Sequence, residues 1–483
     1  MNRQIKRIST AVVIMFMSLF VGSTFNQVVR ADLLYDDSRN LRATYESYKT
    51  KRGSILVSGQ AIVESVAINT DYRYLRQYSS PIYSPVTGFF SVFGTATGIE
   101  RANNDFLTGQ SSSQFFEQIN ALLDGKPVTG AAVELTLDAE LQQLAWDALG
   151  EKTGAVVALD PKTGRILAMV SKPSYDANLL TEQDFDAYRD SFDKLDQDET
   201  QPLVNRAIAG DMNPPGSVFK LVVAAAALES GEFAAETQVP NPTVFTLPGT
   251  TTQIRNSGGS NCGGGESVSM ELALARSCNI PFAQIGITLG DDRIRAQAEL
   301  FGFNSQVSIP LQAAASTYPA DLDSPQTALS AFGQFDVRAT PLQVAMVTAA
   351  IANQGVLLQP QLISRIVASN LNVLSEPAPR VFSSPISRET AAILTRMMVT
   401  SVSAGAASNA GIEGVAVAGK TGTAENGDEQ PYTLWFTGFA PATDPEIVVA
   451  VVIENGGGLG QNGTGNQLAA PIGRELIRNW LAR

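Results

Sequence analysis

Histidine is absent from this chain, which excludes a Ser-His-Asp triad and any histidine-ligated metal site. A nucleophilic serine here therefore needs another base. Lysine is scarce as well: 24 of the 34 basic residues are arginine, and beyond Lys220 the chain has one further lysine, Lys420. Arginine does not deprotonate in proteins, so any lone pair needed for proton abstraction must come from a lysine. Cysteine occurs twice, at Cys262 and Cys278. Positive charge is also in deficit, and the net charge of −13 argues against nucleic acid as a partner. What is present is ordinary globular composition, 44% hydrophobic and 17% charged over 483 residues, enough for two or three domains.

The two late lysines each sit in a short motif. Lys220 closes Ser217-Val218-Phe219-Lys220, introduced by Pro214-Pro215-Gly216, and Lys420 opens Lys420-Thr421-Gly422-Thr423; Ser277-Cys278-Asn279 lies between them. Each pattern recurs elsewhere in the chain, and context separates the copies. Lys162-Thr163-Gly164 follows Asp160-Pro161 between two apolar runs and reads as a hairpin turn. Ser191-Phe192-Asp193-Lys194 lies in an acidic polar stretch with no turn before it and no helix-forming apolar run after it, and Ser38-Arg39-Asn40 repeats the serine-asparagine triplet. By contrast Lys220 leads into Leu221-Val222-Val223-Ala224-Ala225-Ala226-Ala227-Leu228, a buried helix by length and composition.

With Ser217 at the start of that helix, Lys220 three residues on faces the same way. The helix dipole and the ammonium of Lys420 both penalise a charged Lys220, whose reference pKa is about 10.4, so a neutral amine within reach of the hydroxyl is expected. Ser277 is placed to relay a proton between Lys220 and an amine, and Asn279 to hold a substrate amide. The strand carrying Lys420, Thr421, Gly422 and Thr423 is expected to wall the cleft and, through Lys420, Thr421 and Thr423, to receive a terminal carboxylate. Such a set performs acyl transfer from a peptide carbonyl to Ser217 and on to an amine or water. It calls for no metal and no cofactor.

Arg3, Lys6 and Arg7 precede an uncharged segment from Ile8 to Val29, long enough as a helix to cross a hydrocarbon core of about 30 Å. The flanking positive charges place the tail in the cytoplasm and the rest outside. A cleaved signal peptide, with Val29-Arg30-Ala31 as its cleavage site, is the competing reading. Outside the cytoplasm Cys262 and Cys278 can pair, closing a loop of about 15 residues worth around 3 kcal/mol in the chain-entropy model, or remain free thiols. The expected divisions are residues 1–30 as tail and anchor, 31–149 as a small pedestal without catalytic chemistry, and 150–483 as the catalytic domain. Asp138 is expected to cap a helix, a hairpin to follow over 154–170, and strands near both ends with helices between them to form one antiparallel sheet covered by helices. Gly458-Leu459-Gly460-Gln461-Asn462-Gly463 imitates a dinucleotide fingerprint but lacks a second βα unit and reads as a loop.

From Arg52 onward the chain resembles class B penicillin-binding proteins, most closely the short actinobacterial type of cell division and cell shape. The resemblance rests on Arg52-Gly53-Ser54-Ile55, Asn205-Arg206-Ala207, Pro214-Pro215-Gly216-Ser217-Val218-Phe219-Lys220, Ser277-Cys278-Asn279 and Lys420-Thr421-Gly422-Thr423-Ala424-Glu425; serine-x-x-lysine, serine-x-asparagine and lysine-threonine-glycine in this order form the family's signature. It implies an α+β fold with an antiparallel five-stranded sheet covered by helices, an N-terminal pedestal and one transmembrane helix. It implies a peptidoglycan D,D-transpeptidase acting on stem peptides ending in D-Ala-D-Ala, with an oxyanion hole from the backbone amides of Ser217 and Thr423, and with β-lactams as stalled substrate analogues. The implied partners are a multi-pass membrane glycan polymerase and other cell-division proteins. Two positions depart from the pattern: Val57 stands where an acidic residue is usual, and no histidine precedes Trp435-Phe436. A D,D-carboxypeptidase or a catalytically idle division scaffold are the alternatives.

Overall fold

The computed structural model describes residues 3–30 and 50–483 apart from positions 124, 126, 211 and 308; Ser38-Arg39-Asn40 lies outside them. The first described element is a continuous helical segment, Arg3–Val29, in which no residue is buried and which is long and apolar enough to cross a membrane.

A five-stranded, wholly antiparallel sheet carries the site. Its strand order is Ala418–Ala424, Thr433–Ala440, Ile447–Ile453, Gly154–Leu159, Ile166–Lys172. The Thr433–Ala440 and Ile447–Ile453 strands are buried along their whole length, because helices cover both faces and each side chain meets a packed layer whichever way it points. Alternation still sorts the layers. Leu434, Phe436, Val449 and Val451 pack with Leu141, Leu149, Leu476 and Ile477 of helices Ala139–Leu149 and Gly465–Leu481. Trp435, Phe439, Val448 and Ala450 face the opposite layer, with helices Lys220–Glu229 and Pro341–Ala352. The Lys220–Glu229 helix is apolar around its circumference and correspondingly buried.

Helix Ala139–Leu149 starts at Asp138, whose Oδ1 accepts from Leu141 N at 2.8 Å, as the sequence predicts. It packs on the catalytic sheet, although by sequence it falls within the 31–149 segment. Exchange runs the other way too: Ile363–Val367 and Val373–Ser375 add two strands to the N-terminal sheet, ordered Val373–Ser375, Ile363–Val367, Ala132–Leu135, Ile55–Val57, Gln60–Ala67, Tyr74–Tyr78. A linear boundary at 149/150 thus divides elements that are joined by packing and by strand pairing. Val57 is fully buried in this sheet, so the position usually acidic serves packing here.

The Lys162-Thr163-Gly164 copy is the turn of the 154–172 hairpin, with Lys162 N donating to Asp160 Oδ1 at 2.8 Å. The Ser191 copy lies within a polar helix, Phe185–Asp196, which Asp184 caps through Ala187 N at 2.9 Å and which buries Tyr188. The 458–463 glycine segment forms two short 3-10 turns beside the 430–432 loop, with Tyr432 N donating to Gly460 O and Gln461 Nε2 to Gln430 O.

Candidate active site

Ser217 sits in a single 3-10 turn, Gly216–Val218, that runs directly into the Lys220–Glu229 helix. Glycine is required in this turn and beneath it. Gly216 has φ 51° and its N–H donates to Gly333 O at 2.9 Å; Gly333 has φ 76°, and a Cβ there would lie 2.0 Å from Gly216 O. Trp435 Nε1 holds the preceding Pro214 carbonyl at 2.9 Å. Gly333→Ala should therefore displace the nucleophile turn. We expect acylation of Ser217 to slow by about 10²-fold, the usual cost of an ångström-scale misplacement, measured as the second-order rate of covalent labelling by benzylpenicillin; an unchanged rate would show that the turn tolerates the shift.

Both lysines are fully buried. Lys220 Nζ lies 2.9 Å from Ser217 Oγ, 2.8 Å from Ser277 O and 2.8 Å from Asn279 Oδ1. The last two oxygens can only accept. A neutral amine satisfies them with its two N–H bonds and turns its lone pair to the Ser217 hydroxyl, which then donates. Burial, and secondarily the charge of Lys420, push the Lys220 amine well below its ordinary range. Lys420 Nζ donates to Ser277 Oγ at 2.8 Å and to Thr421 O at 2.7 Å, and burial lowers its pKa to about 7. Neither lysine has a carboxylate partner among the described residues, so nothing offsets the desolvation of a charged form.

The Ser277 loop is held by elements remote in sequence. Ser277 adopts φ 62°, an uncommon backbone conformation for a residue with a side chain. The next residue, Cys278, is disulfide-bonded to Cys262. Asn279 N and Ile280 N both donate to Asn256 Oδ1, at 2.9 and 3.0 Å. Asn256 thus caps the Asn279–Leu289 helix from outside and positions the triplet. Sequence reasoning missed it, because an asparagine 23 residues upstream carries no local mark of that role.

The expected set converges with three changes of detail. The Ser277 hydroxyl is bonded to Lys420, while Lys220 receives only the Ser277 carbonyl. Asn279 offers its Oδ1 to Lys220, and its Nδ2 donates to Arg255 O at 3.2 Å. Thr421 is buried and donates to Ala406 O at 3.0 Å. Thr423 Oγ1 accepts from Gly465 N at 3.2 Å and retains its own proton. Gly422 serves by its small size: a Cβ there would come within 2.9 Å of Pro215 O and 3.3 Å of Val218 Cγ1, so glycine lets the strand lie against the nucleophile turn. The segment entering that turn is clamped to the sheet by Glu454, which accepts from Arg206 Nε and Asn213 Nδ2, each at 3.1 Å.

A serine hydroxyl facing a buried lysine whose amine is pushed well below its ordinary range, with a second buried lysine bridged to it through a serine loop, defines a serine–lysine acyltransferase site. The penicillin binding protein transpeptidase domain model matches residues 154–478, and the penicillin binding protein A dimerisation domain model matches residues 52–133. The chain is 40% identical to the peptidoglycan D,D-transpeptidase PbpA of Mycolicibacterium smegmatis, over 99% of this chain and 98% of that protein. It is 39% identical to the protein of the same name from Mycobacterium tuberculosis, with the same coverage. Among solved structures it resembles penicillin-binding protein A from M. tuberculosis as a ceftriaxone acyl-enzyme complex, with TM-score 0.86 and 38% identity over 90% of this chain and 99% of that one. The penicillin G acyl-enzyme complex of that protein matches with TM-score 0.85, 38% identity, 89% of this chain and all of the other. The chain belongs to the penicillin-binding protein transpeptidase family.

Proposed function

We propose that this protein is a peptidoglycan D,D-transpeptidase, acylated on Ser217 by stem peptides ending in D-Ala-D-Ala and by β-lactams. The observation that carries the reading is the Lys220 amine, 2.9 Å from Ser217 Oγ with its two other contacts both to acceptor oxygens. As Ser217 Oγ attacks the carbonyl of the penultimate D-Ala, its proton passes to the Lys220 lone pair. The developing oxyanion is received by backbone N–H groups, with those of Ser217 and Thr423 as the proposed pair. Collapse breaks the peptide C–N bond, and the leaving D-Ala nitrogen takes its proton from the Ser277 hydroxyl, replenished through Lys420. An amine of a second stem then attacks the ester, gives its proton to the same groups, and Ser217 leaves as the hydroxyl. Lys420 and Thr423 supply cation and hydroxyl for the donor's terminal carboxylate, a role for which Thr421, already committed to Ala406 O, has no free proton.

Arg3, Lys6 and Arg7 at the start of the Arg3–Val29 helix support an uncleaved anchor with its N-terminal end in the cytoplasm and the catalytic domain outside. In that setting the glycan strands come from a separate membrane polymerase, proposed to act beside this protein together with other division proteins.

The full-length chain in detergent, exposed to benzylpenicillin, should gain the mass of one penicilloyl group and keep it for many minutes; Ser217→Ala should gain none. Intact-mass spectrometry reads both. Rapid return to native mass would favour a hydrolase, and no adduct on the unsubstituted chain would leave a structural role.

A further inference from the structure

The Ser277-Cys278-Asn279 triplet enters the Asn279–Leu289 helix without a cap of its own. Its N-cap position is held by Cys278, whose side chain makes no capping hydrogen bond and is tied instead to Cys262. Helices usually take that bond from a serine, threonine, aspartate or asparagine at the N-cap itself. Here Asn256 Oδ1 does so from outside, accepting from the first two N–H groups of the helix, Asn279 N at 2.9 Å and Ile280 N at 3.0 Å. The residue before it holds Asn279 by the other end: Asn279 Nδ2 donates to Arg255 O at 3.2 Å. With its amide nitrogen engaged there, Asn279 presents Oδ1 to Lys220 Nζ at 2.8 Å. Ser277 O, also 2.8 Å from Lys220 Nζ, belongs to the same triplet. Two of the three hydrogen bonds of the Lys220 amine therefore depend on where Arg255 and Asn256 hold this loop.

Asn256 is itself oriented by a second asparagine, and both side chains are buried. Asn256 Nδ2 donates to Asn241 Oδ1 at 3.2 Å, which leaves Asn256 Oδ1 to face the helix; the reversed amide would set N–H against N–H. Asn241 is fixed in turn by donating Nδ2 to Cys262 O and, at 3.2 Å, to Gly265 O, and its backbone N to Glu266 O at 2.8 Å. It follows the Gln238–Pro240 strand, which pairs with Ser267–Ser269 on the approach to Ser277. A chain of amides thus runs from this two-stranded ribbon through Asn241, Asn256 and Asn279 to Lys220.

We propose that Asn256, oriented by Asn241, is a positioning residue for the acylation of Ser217: it sets the triplet so that Ser277 O and Asn279 Oδ1 take the two N–H bonds of the Lys220 amine and its lone pair is aimed at the Ser217 hydroxyl. The inference rests on the acyl-enzyme reading above. Neither asparagine is hydrogen-bonded to Ser217 or Lys220, and neither titrates. The charged group that acts on Lys220 is Lys420, from the Ala418–Ala424 strand, and the Phe282 ring lies 5.7 Å from Nζ on the side of the Asn279–Leu289 helix.

The test uses the full-length chain in detergent and stopped-flow labelling by a chromogenic β-lactam, which separates the dissociation constant of the initial complex from the first-order constant of acylation. Rates are referred to active sites counted by the labelling endpoint, so an unfolded fraction does not enter. We expect Asn256→Ala to lower the first-order constant by about 10²-fold, the usual cost of an ångström-scale misplacement, with the initial complex little changed. Asn241→Ala should give a smaller loss of the same kind. Asn256→Asp keeps an oxygen for both N–H groups and sets a negative charge behind Asn279, which favours the ammonium form of Lys220. Across pH 5–9 its rate should approach the native one at the alkaline end and fall about tenfold further behind at the acid end. A packing defect would slow it by one factor at every pH. If Asn256→Ala does not fold, the isosteric Asn256→Asp carries the test through this profile. Asn256→Ala within about threefold of native, a loss confined to the initial complex, or an Asn256→Asp profile parallel to the native one would overturn the inference while leaving the acyl-enzyme reading intact. A native chain that does not label would overturn that reading itself.

Discussion

Replacing Lys220 with arginine should slow acylation of Ser217 by about 10²- to 10⁴-fold, the range general-base catalysis contributes. The substitution keeps a long basic side chain but fixes its charge, removing the one feature the mechanism needs, a lone pair at neutral pH. In the native site burial does most of the work of keeping that lone pair free, and Lys420 adds to it. The pH dependence follows with a definite sign. Protons occupy the Lys220 amine only below its depressed folded pKa, so acylation falls on the acid side of that value. It rises with pH and levels off far below 10.5, the ordinary lysine value. Stopped-flow labelling with a chromogenic β-lactam across pH 5–9 checks both statements. An arginine variant within tenfold of native, or a native rate still climbing steeply toward the ordinary lysine range, would remove Lys220 from the role of base.

The second large effect lies far from the serine. Glu100 is fully buried; it receives Arg52 Nε and Nη2 at 3.2 and 2.7 Å, Arg76 Nε at 2.5 Å and the Tyr78 hydroxyl at 3.1 Å. Arg52 also lies 3.8 Å over the Phe90 ring and donates to Asn104 Oδ1 at 2.9 Å. Burial by itself would raise the Glu100 carboxyl, and the Arg76 and Arg52 guanidiniums overcome it and hold it below the ordinary value. Glu100→Ala leaves two buried guanidiniums facing each other without their counter-ion, so we expect about 3–5 kcal/mol of destabilisation, the usual cost of breaking a buried pair from one side. Urea unfolding followed by tryptophan fluorescence and circular dichroism measures it. Because the folded-state pKa is depressed, the carboxylate's contribution is complete above the unfolded value near 4.5 and is lost as pH falls through the folded one. A Glu100→Ala variant within 1 kcal/mol of native would mean that the cluster relaxes or hydrates without cost.

These two sites show what kind of information a sequence carries. Ser217 and Lys220 were legible because their relation is local: three residues apart at the head of an apolar helix, they must share a face whatever surrounds them. The absence of histidine narrowed the base to lysine, and continuous apolar runs marked strands of the catalytic sheet, which are buried on both faces. The capped helix at Asp138 and the hairpin at Lys162 were readable for the same reason, since the signal and the structure occupy the same few residues. The Phe185–Asp196 helix was not, because its acidic face hid the Asp184 cap that starts it.

The remainder depends on contacts between distant segments. Arg52 and Glu100 are 48 residues apart and Arg76 and Glu100 are 24 apart; nothing in their neighbourhoods says that they meet. Likewise the order of the three motifs marked Ser277, Asn279 and Thr421 as site residues but left open which partner each would serve. Folding gave the Ser277 hydroxyl to Lys420, the Asn279 amide oxygen to Lys220 and the Thr421 hydroxyl to Ala406. By itself the sequence determined that Ser217 and Lys220 share one face, the family and the antiparallel sheet between helices, all properties of short spacing, motif order and hydrophobic runs. Only the tertiary structure decided which partners surround the Lys220 amine, how Asn256 and Cys262 brace the Ser277 loop, and how helix Ala139–Leu149 packs on the five-stranded sheet while Ile363–Val367 and Val373–Ser375 join the six-stranded one. Those outcomes depend on burial and on partners tens to hundreds of residues away, which no local pattern encodes.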